Sequence, residues 1–304
     1  MSGLMKELIA QLSSIVLDKK PEIEMAVTCL LAGGHLLIED VPGVGKTTLV
    51  QALGKLSGLD SHRIQFTVDL LPADILGGQI YNPKDQRFEF HPGPLFTQMV
   101  LADELNRASP RTQGALLQAM EENQISVDGK TYNLPSPFFV IATQNPHQQM
   151  GTFPLPESQL DRFLMSLELN YASLETEMII FRSQDPREKL LNLKTLMNPS
   201  DFDSIRATVN KIEVADAVAL YVGQILEKSR SKTKDSLPLS TRAGLSLIRA
   251  AKGWAYLNER SYLRPDDIQK VLIPVLGHRL GGNHGLRKGR EWAAALQKET
   301  EVPV

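Results

Sequence analysis

The 304-residue chain carries 42% hydrophobic, 22% charged and 6% aromatic residues, the balance of an ordinary globular protein with length enough for two domains. Its net charge of −2 gives no bulk attraction to nucleic acid, and a single cysteine, Cys29, excludes an internal disulfide and reads as a small core residue. No apolar run reaches the roughly 18 residues of a membrane helix, and the opening MSGLMKELIAQLSSIVLDKK is charged where a signal peptide needs an unbroken apolar centre, so a cytoplasmic protein is expected.

Leu4, Leu8, Leu12 and Ile15 recur at helical spacing, and a second helical segment covers Glu22 to Leu31 before Gly33-Gly34 ends it. HLLIE at 35–39 then reads as a buried strand, followed by a glycine-rich turn and a helix from Lys46 to about Leu56. RIQFT at 63–67, MVLAD at 99–103 and FFVIAT at 138–143 are further strands, with a helix from Thr112 to Glu122 between the last two. Short buried strands alternating with helices predict an α/β fold, a parallel sheet with helices on both faces. Two hairpins interrupt it. GGQIY and RFEFH flank the turn NPKDQ, and QISVDGKTYNL sets Asp128-Gly129 between two β-prone runs. After about Tyr171 the pattern is helical only: Val214 to Lys228, Thr241 to Leu257 and Pro265 to Leu272. Residues 1–172 are therefore expected to form the sheet-containing core and 173–304 a smaller all-helical domain, with the polar segment from Arg230 to Lys234 a solvated loop.

The turn after the first strand reads EDVPGVGKTT. A phosphate loop surrounds phosphate oxygens with backbone N–H groups and the positive end of the following helix, so it needs residues that allow close backbone approach. Asp40, Val41, Pro42, Gly43, Val44, Gly45, Lys46, Thr47 and Thr48 fill that role, with Lys46 reaching the β- and γ-phosphates of ATP and the Thr47 hydroxyl on Mg²⁺. Asp40 stands where the general pattern has its first glycine; that position turns out of the strand and does not touch phosphate, so a turn-tolerant residue fits. MVLADE then ends a buried strand in two carboxylates, Asp103 to hold Mg²⁺ through water and Glu104 to orient and deprotonate the attacking water. Asn145, at the end of FFVIATQN, is placed for the γ-phosphate or that water, or alternatively starts a turn before Pro146. The six histidines show no ligand spacing, and no structural metal is expected.

GHLLIEDVPGVGKTTL, LADELNRASPRTQGALLQAMEE and FFVIATQNPHQQMGTFPLPESQLDRF resemble the MoxR family of AAA+ ATPases almost continuously from Gly33 to Phe163, with a weaker likeness in LSTRAGLSLIRAA and LRPDDI. The resemblance implies a member of the helix-2-insert clade, which includes magnesium chelatase ATPase subunits. The hairpins at about 72–95 and 124–134 would be its helix-2 and pre-sensor-1 insertions. It further implies Walker A roles for Lys46 and Thr47, Walker B roles for Asp103 and Glu104, and sensor 1 for Asn145. Arg162 in QLDRF would be an arginine finger serving a neighbouring subunit, and Arg242 in STRAG the sensor 2 of the helical lid. Without the family, Arg162 reads as a partner for Asp161 or Glu157, and Arg242 as a solvated helix-start residue.

Val68, Ser109 and Arg111 depart from residues frequent in the family, and IVLDKKPEI replaces its adenine-contacting stretch, leaving Val16 and Leu17 as candidate walls for the base. The implied function is ATP hydrolysis by a ring, a hexamer by family expectation, that remodels, matures or activates protein complexes, often beside a partner with a von Willebrand factor A domain. A ring-shaped nucleic-acid motor would share the hairpins and should carry basic and aromatic residues at their tips, but Lys84, Arg87 and Lys130 are few and lie beside Asp85 and Asp128. A monomeric small-molecule phosphotransferase is the remaining alternative, and would need no residue supplied in trans.

Overall fold

The computed structural model describes residues 2–39, 43–145, 151–182, 186–231 and 237–303. Helices α1 (Ser2–Ile15) and α2 (Lys20–Leu31) precede strand β1 (Leu36–Glu39), and α3 (Lys46–Ser57) leads to β2 (Ser61–Gln65). The short α4 (Pro72–Leu76) opens the first hairpin, β3 (Gly77–Asn82) and β4 (Arg87–Pro92). Strand β5 (Met99–Asp103) is followed by α5 (Pro110–Glu122), the second hairpin of β6 (Gln124–Val127) and β7 (Lys130–Asn133), and β8 (Phe139–Gln144). A one-turn α6 (Glu157–Leu160) and the three-residue β9 (Met165–Leu167) close the sheet.

All pairings in the five-stranded sheet are parallel, in the order β2-β5-β8-β1-β9. Its inner strands β1 and β8 are buried throughout and β5 up to its last residue, as an apolar run with helices on both faces must be. Each Leu, Ile or Val so buried contributes about 1.5–3 kcal/mol relative to exposure. The edges are treated differently. β2 buries only Ile64, leaving His62, Arg63 and Gln65 outward, whereas β9 is covered by α12 (Pro265–Gly281). There the Ser166 hydroxyl donates to Pro274 O at 3.5 Å and lies 3.2 Å from His278 Nδ1, which leaves no open edge on that side.

Beyond β9 the described residues form helices, α7 (Leu174–Arg182), α8 (Pro186–Leu191), α9 (Pro199–Asn210), α10 (Asp216–Ser231), α11 (Thr241–Leu257), α12 and α13 (Gly285–Glu299), with one isolated parallel bridge between Glu213 and Tyr262. Two sequence expectations are corrected. The helix expected to end at Leu272 runs on to Gly281, because Val275, Leu276 and Leu280 bury their side chains beyond Pro274 and that packing outweighs the lost backbone bond. The strand expected at 63–67 lies two residues earlier, although Phe66 N–H still donates to Asp103 O at 2.9 Å. Arg230, placed in the polar loop by sequence, belongs to α10; 232–236 lie outside the described residues. Among the described residues no helix is long and apolar enough to cross a membrane.

Both hairpins form at the expected places. Asp128 and Gly129 both have positive φ, 50° and 76°, as a two-residue primed turn demands. The hairpins also touch: Phe90 of β4 stacks on Tyr132 of β7 at 4.0 Å between ring centroids, and Phe96 packs edge-on against Phe90 at 5.5 Å. Further out on the same face of the first hairpin, Tyr81 and Phe88 pair across the strands at 5.3 Å and are exposed.

Candidate active site

At the C-terminal ends of the parallel strands lies a cleft of about 400 Å³ lined by Gly43, Gly45, Lys46, Thr47, Thr48, Arg63, Gln65, Asp103, Glu104 and Asn145. Ligands in open α/β sheets bind at such strand ends. Asp40, Val41 and Pro42 lie outside the described residues. Gly43 and Gly45 have φ of 89° and 91°, a left-handed backbone that L side chains rarely adopt, and a Cβ on Gly43 would meet nothing within 4 Å. Gly45 is also the N-cap of α3, so the loop and the positive helix end face the cleft together.

Strand β5 delivers the two carboxylates. Asp103 Oδ1 accepts from the Thr143 hydroxyl at 2.6 Å, and Asp103 Oδ2 accepts from Arg63 Nη2 at 2.6 Å and Nε at 3.2 Å. Glu104 leaves the strand in the left-handed region, φ 56° and ψ 45°, a conformation uncommon for a residue with a side chain. Its N–H donates to Thr143 Oγ1 at 2.9 Å, so one threonine fixes both acids. The Glu104 carboxylate accepts from Gln65 Nε2 at 3.0 Å, Arg107 Nη1 at 2.7 Å and Asn145 Nδ2 at 3.3 Å. Glu39, buried at the end of β1, accepts from Gln144 Nε2 at 2.6 Å and ties the strand before the phosphate loop to the strand before Asn145. The Thr47 hydroxyl and the Asp103 carboxylate lining one cleft form the hard oxygen donor set that suits Mg²⁺.

Sequence reading missed Arg63, Gln65 and Arg107. Arg63 and Gln65 stand on an edge strand, where polar residues are ordinary, and only the β2–β5 register, Gln65 opposite Asp103, brings them to the acids, whereas Arg107 reaches Glu104 across the single turn of Leu105–Arg107.

A second, more apolar cleft of about 290 Å³ adjoins the first through Gly43, Gly45 and Thr48. Val16 and Leu17, the candidate base-pocket walls, line it with Ile15, Tyr171, Ile180 and Phe181.

Arg162 and Arg242 line neither cleft. They meet in a third cavity of about 360 Å³ at the junction of sheet and helical regions, shared with Glu121, Asp161, Arg249 and Arg279. Arg162 Nη2 lies 2.9 Å from Glu121 Oε2 and its Nη1 donates to Leu117 O at 2.5 Å. Arg242 Nη2 lies 3.5 Å from Glu121 Oε1 and Nη1 3.7 Å from Asp161 Oδ2. The partners that sequence alone suggested for Arg162, Asp161 or Glu157, are thus replaced by Glu121.

Arg279 anchors this junction. Its buried guanidinium donates to Asp161 Oδ1 at 2.7 Å and to Phe163 O at 2.8 Å, and burial lowers its pKa against the raising effect of Asp161. Two histidines are buried nearby and held neutral. Burial lowers His35 to about 4, and the Val140 N–H donates to its Nδ1 at 3.1 Å while Nε2 faces Met120 O at 3.1 Å. His278 is lowered well below the usual value by burial and by the adjacent Arg279.

The family model described as ATPase family associated with various cellular activities (AAA) matches residues 35–165, and an AAA lid domain model matches 227–301. The chain is 43% identical over 277 residues to the uncharacterised protein YeaC of Bacillus subtilis, covering 91% of this chain and 87% of that one. It is 36% identical over 282 residues to chaperone MoxR1 of Mycobacterium tuberculosis, covering 90% and 74%. A crystal structure from Cytophaga hutchinsonii, described as a candidate ATPase, superposes with a TM-score of 0.87 at 35% identity, over 100% of this chain and 96% of that one.

Proposed function

The chain belongs to the MoxR family of AAA+ ATPases, and from that premise we propose that it hydrolyses Mg·ATP in a ring of identical subunits, each active site being completed by Arg162 and Arg242 of a neighbour. The observation that carries this reading is the separation of the charges. Lys46, Asp103, Glu104 and Asn145 line one cleft and the two arginines another. An arginine finger works only against a phosphoryl group, so arginines that do not line their own chain's phosphate cleft need a second chain to serve. The same interface repeated head to tail closes into a ring, a hexamer by family expectation.

In this reading Gly43 to Thr48 and the α3 N-terminus receive the phosphates, and Val16, Leu17 and the apolar cleft beside the loop receive the base. Thr47 and Asp103 hold Mg²⁺, which when bound offsets charge on the phosphate oxygens. Glu104 takes the proton of the attacking water while Asn145 orients it. Within the chain the Glu104 carboxylate is held by Gln65, Arg107 and Asn145, so its orientation is fixed before substrate arrives. The work coupled to hydrolysis is remodelling or maturation of a client protein complex, with a von Willebrand factor A domain protein as companion, in the cytoplasm. The first hairpin offers an apolar pair, Tyr81 and Phe88, while its Arg87 is taken up by Glu89 at 2.9 Å, and that shortage of free cations favours a protein client over nucleic acid.

ATP turnover per subunit across a protein dilution series, with mass measured at both ends, tests this. Turnover should rise as the larger particle forms, and Arg162→Ala should assemble but turn over about a hundredfold or more slowly, given the 10³–10⁵ that arginine fingers supply elsewhere. Flat turnover by a monomer, untouched by Arg162→Ala, overturns the reading.

A further inference from the structure

Arg162 follows α6 and Arg242 opens α11, in regions eighty residues apart in sequence, yet both guanidiniums reach a single carboxylate. Glu121, in the last turn of α5, presents Oε2 to Arg162 and Oε1 to Arg242. Its two oxygens therefore take one arginine each, as two oxygens of a phosphate would. Asp161 contributes little to this hold, because its closer partner is Arg279 at 2.7 Å while Arg242 stands at 3.7 Å. The contacts are half open to water: 43% of the Glu121 side chain and 59% of that of Arg242 are exposed, so the pairs can exchange partners without unfolding anything. Carboxylate and phosphate compete for guanidinium through the same paired N–H···O geometry, and a terminal phosphate carries more charge.

We propose that Glu121 is a positioning residue that keeps Arg162 and Arg242 together and occupied within their own chain until the terminal phosphate of a neighbour's ATP takes both over. This rests on the trans arrangement of the proposed function and adds to it a built-in competitor, which raises the protein concentration at which subunits join in a productive interface. Exposed pairs of this kind are weak, and a combined worth of about 0.7–1 kcal/mol for the two shifts that concentration by about three- to fivefold rather than by orders of magnitude.

Glu121→Gln tests it, since the amide keeps the size and removes the charge. In the turnover dilution series the concentration for half-maximal rate should fall about three- to fivefold, and inorganic phosphate, now able to bind the released guanidiniums, should inhibit at correspondingly lower concentration. A purely structural brace would leave phosphate inhibition unmoved. Placing Glu121→Gln in an Arg162→Ala, Arg242→Ala background should abolish both shifts. If the Gln variant does not fold, Glu121→Asp, with the charge withdrawn by one methylene, should shift both quantities in the same direction and by less. An unchanged or higher half-maximal concentration, or unchanged phosphate sensitivity, overturns the proposal while leaving the trans arrangement intact. That arrangement falls separately, if Arg162→Ala alone has no effect on turnover.

Discussion

Glu104 and His35 show how single residues are fixed by partners that lie far away in sequence. Glu104 stands in a left-handed backbone because Thr143, on the neighbouring strand, binds its N–H while also binding Asp103. His35 sits between β8 and the end of α5, accepting from Val140 N–H and facing Met120 O, and burial holds it neutral at a pKa of about 4. That has a consequence for stability with a definite sign. Between pH 6.5 and about 4 the unfolded chain takes up a proton at His35 that the native chain refuses, so stability falls as the pH is lowered through this window and levels off below it. His278, also lowered, adds to the same trend. Urea unfolding should show a loss approaching about 1.4 kcal/mol per pH unit for each buried histidine, and His35→Gln should flatten the slope. A stability that is flat or rises from pH 6.5 to 5 contradicts the buried neutral imidazoles. At this scale the sequence was legible where chemistry and neighbours coincide. Gly43 to Thr47 and Asp103-Glu104 are contiguous patterns whose glycines and carboxylates have few other uses. Arg63, Gln65, Arg107 and Glu121 carry no such pattern, since a charged residue on an edge strand or a helix end looks the same whether it faces water or a catalytic acid.

Elements follow the same division. Strands β1, β5 and β8 and the two hairpins were readable because apolar runs and the Asp128-Gly129 turn are local signals. β9 escaped because three residues are too few to show a period, and the second half of α12 escaped because Pro274 reads as a stop where buried packing carries the helix through. The contact between hairpins, Phe90 on Tyr132, is likewise tertiary: the two rings come from insertions on opposite sides of β5 in the chain. α12 matters most for the junction. Its Arg279 joins Asp161 and the carbonyls of Phe163 and Leu164, which lie immediately before β9, and so fastens the helical region to the sheet. Arg279→Met should cost about 3 kcal/mol by leaving Asp161 and those carbonyls without their donor. The loss should appear as a lower urea midpoint; a midpoint within experimental scatter of the parent would mean that the junction is held by apolar packing alone.

For the whole molecule, the arrangement places a phosphate cleft at the strand ends and an arginine pair at the junction with the helical region, in separate cavities. In the proposed reading each of two surfaces offers one half of an active site, and head-to-tail association would join them. The ATPase family and the two-region architecture could be read from sequence. That Arg162 serves a neighbour was implied by the resemblance, but the cavity it shares with Arg242 and their common partner Glu121 could not be read, because they become visible only when α5, α6 and α11 converge.

The most direct test of the division mixes two disabled variants. Glu104→Gln keeps both arginines but lacks the proposed base, and Arg162→Ala keeps that base but lacks the proposed finger. Each alone should turn over ATP at a small fraction of the parent rate. Mixed in equal amounts, with mass measurement confirming that both enter the same ring, they should recover a substantial part of that rate, because some interfaces then join an intact cleft to an intact arginine pair. Mixed rings that form and remain as inactive as either variant alone would mean that each chain completes its own site, and a site divided between neighbouring subunits would be ruled out.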